Sequence, residues 1–493
     1  MTKTDIAIKI NPKDNVAVAL ESLPIGADVF GVETTEKIPM GHKIALDNIK
    51  KGENIIKYGY PIGHAKTDIN LGQHLHTHNI ATNLKGLLNY EYRPNLTDAT
   101  TKKDDTFMGY KREDGQAGIR NEVWIINTVG CVNKIAEKIA AKANALHMGR
   151  TDGVFTFVHP FGCSQLGDDH KHTQDVLKNL VKHPNAGGVL VLGLGCENNN
   201  IPEFKKVLGD WDDNRVKFLN TQDVEDDVEE GLKIVEELID YAASFERQPV
   251  PVGKLVVGLK CGGSDGFSGI TANPLVGRLS DIVITHGGTS ILTEVPEMFG
   301  AETILMNRCV NTEIFDKTVC LINDFKEYFI RHKQEIYENP SPGNKDGGIS
   351  TLEEKSLGCT QKGGIGNITD VLNYGERVKI PGLNLLQGPG NDIVAVTNLA
   401  AAGAHIVLFT TGRGTPLGGP VPTVKISSNA DLAHSKKKWI DFDASPLLDN
   451  TSLDDLGEKF FNYILDIANG KVKTLNEIND YREISIFKDG VTL

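Results

Sequence analysis

Up to about residue 90 the apolar positions come in short runs: "DIAIKI", "VAVAL", "ADVF", "HKIAL", "NIIKYGYPIGHA" and "QHLHTHNI", each broken by Gly, Pro or Asn. Short runs bounded by turn residues predict strands, and no helical repeat interrupts them. The pattern therefore predicts a small, compact all-β domain over residues 1–92. Residues 93–106, "RPNLTDATTKKDDT", hold little to bury and read as a linker between domains.

From residue 107 the texture changes. β-branched apolar runs now end in loops that carry Gly or Cys, and helical repeats follow several of them. "VWIINTVGCVN" leads into "KIAEKIAAKANAL", where Ile135, Ile139 and Ala143 share a face. "GVFTFVHPFGCSQLGDD" leads into "HTQDVLKNLVKH", and "GGVLVLGLGCENN", "GKLVVGLKCGGSDGFSG" and "HIVLFTTGRGTPLGG" show the same run-then-loop form. Alternating strand and helix predicts parallel sheets with right-handed crossovers. Strands that are apolar throughout suit sheets covered on both faces. The break at "RQPVPVG", residues 247–253, predicts a hinge between two such units, 107–248 and 249–493. The fold class is α/β: a small all-β domain, then two α/β units with mainly parallel sheets. In parallel sheets the loops at the carboxyl ends of strands form the ligand crevice. Here those loops hold Cys131, Cys163, Cys196, Cys261 and Arg413.

Composition narrows the class of function. At 493 residues the chain has room for two to four domains, and 40% hydrophobic with 24% charged residues is ordinary globular content. A net charge of −13 argues against a nucleic-acid surface and against docking on an anionic membrane, while leaving room for one local basic pocket. No run is apolar for long enough to span a bilayer. The opening "MTKTDIAIKINPKDNVAVAL" lacks the basic-then-apolar pattern of a secretory leader. Seven cysteines, an odd number with no CxxC pair, predict a reducing cytoplasm rather than a disulfide framework.

Several residue sets then stand out. In "GQHLHTHN" the imidazoles of His74, His76 and His78 recur at every second position. If the stretch is extended they share one face, and a row of imidazoles can bind a divalent metal or an anion. An edge strand with a polar face is the plainer reading. No loop matches a phosphate-cradling motif, so a nucleotide cofactor is not expected. The loops instead pair thiols with carboxyls and glycine: Cys163 in "FGCSQLGDD", Cys196 and Glu197 in "LGCENN", Cys261 and Asp265 in "CGGSDG". Deprotonated, such groups ligate metals; singly, each is often only a small buried residue. Arg413, with glycine on both sides in "TTGRGTPLGG", can grip a carboxylate with two hydrogen bonds. The segment 339–364 adds Lys345, Lys355, Lys362 and Cys359, and "TEVPEMFGAE" adds Glu294 and Glu297, of which Glu297 equally suits a helix start.

Taken in order, "HLHTHN", "GCSQLGDDH", "GLGCEN", "CGGSDGFSGITANP", "TEVPEMFGAE", "NPSPGNKDGGISTLEEKSLGCTQK" and "GRGTPLGGPVPTVK" resemble the altronate and galactarate dehydratase family. The likeness covers almost the whole chain, and its length and "GFSGITANP" lean toward the altronate-acting members. The resemblance implies that the β domain is a SAF domain, a β-clip module. It implies a hydro-lyase that removes water from a hexonate to give a 2-keto-3-deoxy acid in hexuronate catabolism, using ferrous iron with manganese as a substitute. Removing the proton beside a carboxylate leaves an enediolate that positive charge must stabilise. On this reading His76 and His78 ligate the metal, with Cys163, Glu197 or Asp265 completing its sphere. His74 is a ligand or proton carrier, and Arg413 and Lys355 hold the sugar acid. His159 and His170 are weaker acid/base candidates, each more simply read as a satisfied polar histidine. Two rivals remain: a hydro-lyase with a [4Fe–4S] cluster on Cys131, Cys163 and Cys196, and a non-catalytic sugar-acid-binding module. The partner is a small sugar acid in either case, and a homo-oligomer is compatible with the sequence.

Overall fold

The computed structural model describes residues 1–97, 104–449 and 451–492. Its first part is all β. Five short antiparallel strands run in the order Thr2–Lys3, Ala7–Lys9, Val16–Ala19, Lys43–Ala45, His74–Leu75. A second sheet of Asn54–Lys57, Tyr60–Ala65 and Ile80–Ala81 packs beside it. Strands of two to six residues bury little, and the module closes only a small core of its own around Ala17, Leu23, Val29 and Ile44. It shares two more with the distant third unit: Val16, Ile55 and Leu75 pack with Ala301 and Leu357, and Ile8 and Val18 pack with Phe267 and Ile270.

Of the expected linker 93–106, residues 98–103 lie outside those described. The preceding stretch is tied down, because the Arg93 and Asn95 amides donate to Asn307 and the Thr97 amide donates to Asn367. The expected hinge at 247–253 is a strand: Arg247–Pro251 pairs antiparallel with Thr106–Lys111 along five register positions. The chain thus enters and leaves the middle unit through one ladder, which fixes the junction instead of loosening it.

The middle unit is a four-stranded parallel sheet ordered Val154–Thr156, Glu122–Asn127, Ala186–Gly193, Val216–Asn220. Alternate side chains serve opposite faces, as strand geometry requires. Val123 and Ile125 pack under the helices Asn133–Leu146 and Asp227–Ala242. Trp124 and Ile126 face Gly167–Val181 and continue into a core shared with Leu386, Val394 and Phe409.

The last unit is a seven-stranded parallel sheet centred on Val256–Cys261, with Thr289–Leu292 on one side and Ile406–Thr411 on the other. The chain turns one way after Val256–Cys261 and the other way after Ile406–Thr411. The gap between these two strands is therefore the switch point at which open α/β sheets place a crevice. Its loops carry Cys261 to Asp265 and Gly412 to Arg413. Among the described residues no helix is long and apolar enough to cross a membrane.

Candidate active site

Four imidazoles gather where the β module meets the last unit. The strand carrying them is only His74–Leu75; His76 already lies in a bend and His78 in a turn. The rings converge all the same, with centroids 5.8 Å apart for His74 and His76 and 5.4 Å for His74 and His78. Sequence reasoning missed the fourth member. His42 stands next to the strand Lys43–Ala45, which pairs with His74–Leu75, and this brings its Nδ1 to 2.9 Å from His74 Nε2. The signal was the "GH" before "KIAL", invisible until the two strands are known to be neighbours.

The hydrogen bonds fix which nitrogens are free. His42 Nε2 lies 3.3 Å from the carbonyl oxygen of Asp346, which can only accept. His42 Nε2 therefore carries the proton, its Nδ1 accepts from His74 Nε2, and the lone pair of His74 Nδ1 is left over. On the other side His76 Nδ1 is 3.2 Å from Ser350 Oγ. Burial first, then the neighbouring His42 and other imidazoles, push His74 down to about 3. Burial and the Lys43 ammonium push His76 down to about 4. Both rings are neutral at physiological pH, the form that binds metal. His78 is exposed at the mouth of the group.

Behind the rings lies the helix Leu352–Cys359, capped by Thr351 and buried at every residue. The segment 339–364 contains two short helices, Pro342–Asp346 and Leu352–Cys359. Three consecutive charged residues of the second are buried with partners. The Glu353 carboxylate accepts from Thr82 Oγ1 at 2.9 Å. Glu354 is shared by Lys43 at 2.9 Å and Lys57 at 2.8 Å. Lys355 pairs with Glu297 at 2.8 Å and donates to Asn339. Burial would raise the Glu354 carboxyl, but Lys43 and Lys57 outweigh it and hold it at about 2. Two lysines of the β module, one acid of the last unit and the adjoining imidazoles therefore form one interface.

Deeper still, Cys261 Sγ is 2.9 Å from Glu297 Oε2 and 3.3 Å from Cys359 Sγ. Cys261, Glu297 and Cys359 are a group whose ligand atoms lie mutually within 4.8 Å, close enough to hold a metal ion. Lys355 and Lys362 already neutralise Glu297 there, outweighing burial and holding its carboxyl at about 2. The neighbouring cavity, between Asp265, Glu354, Lys355 and Cys359, has about 10 Å³. That is the size of one water, so nothing larger fits inside it.

Asp265 and Arg413 lie on the two switch-point loops, with Arg413 beside Gly263 and Asp265 against Gly412. Asp265 Oδ1 accepts from Ser268 Oγ and Ser428 Oγ, both at 2.8 Å, and its Oδ2 accepts from Asn429 at 2.9 Å. The carboxylate ties the switch-point loops together, and Gly412 is packed so close that any Cβ there would collide with it. Gly266 in turn donates to the Gly347 carbonyl at 2.7 Å, one residue from the Asp346 that holds His42. Arg413 is exposed, and among the described residues its guanidinium has no hydrogen bond or ion pair.

The remaining expected residues lie on the middle unit. Cys163 follows the strand Val154–Thr156, with its Sγ 3.8 Å from Cys131 Sγ. Glu197 is buried and accepts from Thr128 Oγ1 at 2.5 Å and from the Leu194 and Gly195 amides. His170 is on the helix Gly167–Val181, lowered by burial, with its buried Nε2 unpartnered. The structure therefore divides the expected set. His74, His76, His78, Asp265, Lys355 and Arg413 gather around the junction with the last unit, whereas Cys163, Glu197 and His170 crown another sheet.

Residues 5–83 match the altronate/galactarate dehydratase SAF domain, residues 109–243 the second domain of D-galactarate dehydratase/altronate hydrolase, and residues 252–492 the D-galactarate/altronate dehydratase C-terminal domain. Over its full length the chain is 54% identical to the altronate dehydratase of Escherichia coli, each chain covered to 99%.

The chain belongs to the galactarate/altronate dehydratase family.

It is also 53% identical to the altronate dehydratase of Bacillus subtilis, again with 99% of both chains covered. Its identity to the L-threo-forming galactarate dehydratase of E. coli is 34%, over 97% of this chain and 95% of that one. The protein is thus a hydro-lyase of this family, and the matched SAF domain is the all-β module that brings the four imidazoles to the last unit.

Proposed function

We propose that the protein dehydrates a hexonate, D-altronate, to 2-dehydro-3-deoxy-D-gluconate, as a step of hexuronate catabolism in a reducing cytoplasm. The observation that carries the reading is the convergence of His42, His74, His76 and His78 against the 346–350 loop, in a chain that shares over half its residues with two altronate dehydratases. The identity to the galactarate enzyme is lower, which favours altronate as substrate.

The donor set suits a divalent cation. His74 Nδ1 is a free lone pair on a neutral ring, and imidazole nitrogens bind ferrous and manganous ions well. Of the two roles open to His74, ligand or proton carrier, its depression to about 3 favours the first, beside His76. His78, at the mouth, exchanges protons with the substrate and solvent. A cation held there supplies positive charge against the enediolate that develops beside the carboxylate. Arg413 grips the sugar-acid carboxylate from the switch point. Asp265 acts through others, holding the Gly266 and Gly412 turns so that Arg413 and the 346–350 loop keep their spacing. Lys355, Glu354 and Glu297 form the buried charged floor.

The test is an anaerobic incubation of the protein with altronate or galactarate and ferrous or manganous salt, read as 2-keto acid formed. Altronate should give product only when metal is present. No product, or a preference for galactarate, would overturn the assignment.

A further inference from the structure

The middle unit has a crevice of its own that the imidazole site leaves unused. Its switch point lies between the strands Glu122–Asn127 and Ala186–Gly193, because the chain passes from the first to the outer strand Val154–Thr156 and then returns to the other side. Cys131 and Cys196 stand on the loops on either side of this switch point, and Cys163 follows the adjoining strand. Three thiols from three separate loops therefore crown neighbouring strands. Cys131 and Cys196 are exposed and all three are unpaired by disulfide. Gln222 Nε2 approaches Cys196 Sγ at 3.5 Å. A side chain at Gly162 would meet nothing within 4 Å, so the space beside Cys163 is open.

A second observation at this crest points to a ligand. His159 Nδ1, Asn127 Oδ1 and Asn199 Oδ1 are buried there without any partner, on residues at most 2% exposed. Buried polar atoms are nearly always satisfied, and those that are not call for a specific explanation. In this unit they collect at the same ends of the same strands as the thiols.

We propose that Cys131, Cys163 and Cys196 bind an iron–sulfur cluster of the [4Fe–4S] type, whose fourth iron has no protein ligand and takes water or a small oxyanion. The spacing favours a cluster over a single ion. A lone tetrahedral ion at about 2.3 Å from each sulfur needs all three thiolates within about 4 Å of one another. Cys131 and Cys163 meet that, at 3.8 Å. Among the described residues, however, the one trio with ligand atoms mutually within 4.8 Å is Cys261, Glu297 and Cys359, so Cys196 stands too far off to share a lone ion with the pair. A cubane of iron and sulfide holds its thiolates further apart, so it takes in Cys196 once the Cys131 and Cys163 side chains, now 3.8 Å apart, turn away from each other. This centre is independent of the imidazole site, and its failure would leave that reading untouched.

The experiment reconstitutes the full chain anaerobically with equal amounts of ferrous and ferric iron and inorganic sulfide, which together supply the mixed-valence oxidation level of the cluster. It then measures iron, acid-labile sulfide and visible absorption after desalting. The wild type should turn brown and retain about four iron and about four sulfide per chain. The triple variant Cys131→Ser, Cys163→Ser, Cys196→Ser should retain neither, the single exposed-site variant Cys196→Ser should retain at most half, and His76→Ala should match wild type. Circular dichroism of each variant checks that it is folded. A single metal without sulfide, a Cys131–Cys163 disulfide as the sole product, or equal iron and sulfide in a folded triple variant would overturn the proposal.

Discussion

His42 Nδ1 and His74 Nε2 lie 2.9 Å apart, although 32 residues separate them. The antiparallel pairing of Ile44 with His74 makes the contact, and the Asp346 carbonyl polarises it from the other side. His42 thereby sets the tautomer of His74 and frees its Nδ1. Groups that orient a metal-binding imidazole in this way change metal affinity by about 10- to 100-fold when removed. His42→Ala should weaken Mn²⁺ binding by that factor, measured by calorimetric titration, and leave the thermal unfolding midpoint within a few degrees. Unchanged affinity would show that His42 orients nothing.

Glu354 sits between two buried ammoniums, Lys43 and Lys57. Removing the shared acid leaves two uncompensated buried charges, and breaking such a pair costs about 3–5 kcal/mol. Glu354→Gln should lower stability by about that amount in urea unfolding, with the β module released first. A loss below about 1 kcal/mol would mean that water reaches the lysines.

The pH dependence of metal uptake follows from the depressed imidazoles. With His74 at about 3 and His76 at about 4, protons do not compete for these nitrogens until the pH falls through that range. An ordinary histidine site weakens as pH drops below about 6.5. Mn²⁺ affinity, followed by the free-ion resonance signal, should therefore change less than about threefold between about pH 7.5 and about pH 5.5, and fall only below about pH 4. A steep loss near pH 6.5 would place the metal on unperturbed rings.

Arg413 has no protein partner among the described residues, so its replacement removes binding without unbalancing a network. Arg413→Ala should raise KM for the sugar acid about 10- to 100-fold with a smaller effect on kcat, and Arg413→Lys should recover only part, because lysine lacks the bidentate fork. Equal KM in wild type and Arg413→Ala would remove it from the carboxylate site.

The large architecture was legible because it rests on local pattern. Short runs between Gly, Pro and Asn gave the β module, and apolar strands ending in glycine loops gave two parallel sheets. One stretch misled for a physical reason, and another hid its partners. "RQPVPVG" has hinge composition, yet its strand forms by pairing with residues 106–110, a partner that no local window contains. "LEEKSLGC" carries three adjacent charges whose partners Thr82, Lys43, Lys57 and Glu297 lie far from it along the chain. The site was half legible in the same sense. The spacing of His74, His76 and His78 was visible in one window, whereas His42, Glu354 and the split between the imidazole and thiol groups exist only through tertiary contacts.

The account depends most on a cation held by imidazoles of the β module. Electron spin-echo spectroscopy of the Mn²⁺-loaded protein reads this directly, through coupling of the metal electron spin to histidine nitrogens. The wild type should show that coupling, the His76→Ala variant should lose part of it, and the Cys163→Ser variant should keep all of it. Absence of nitrogen coupling in the wild type, or an unchanged signal in His76→Ala, would contradict the account.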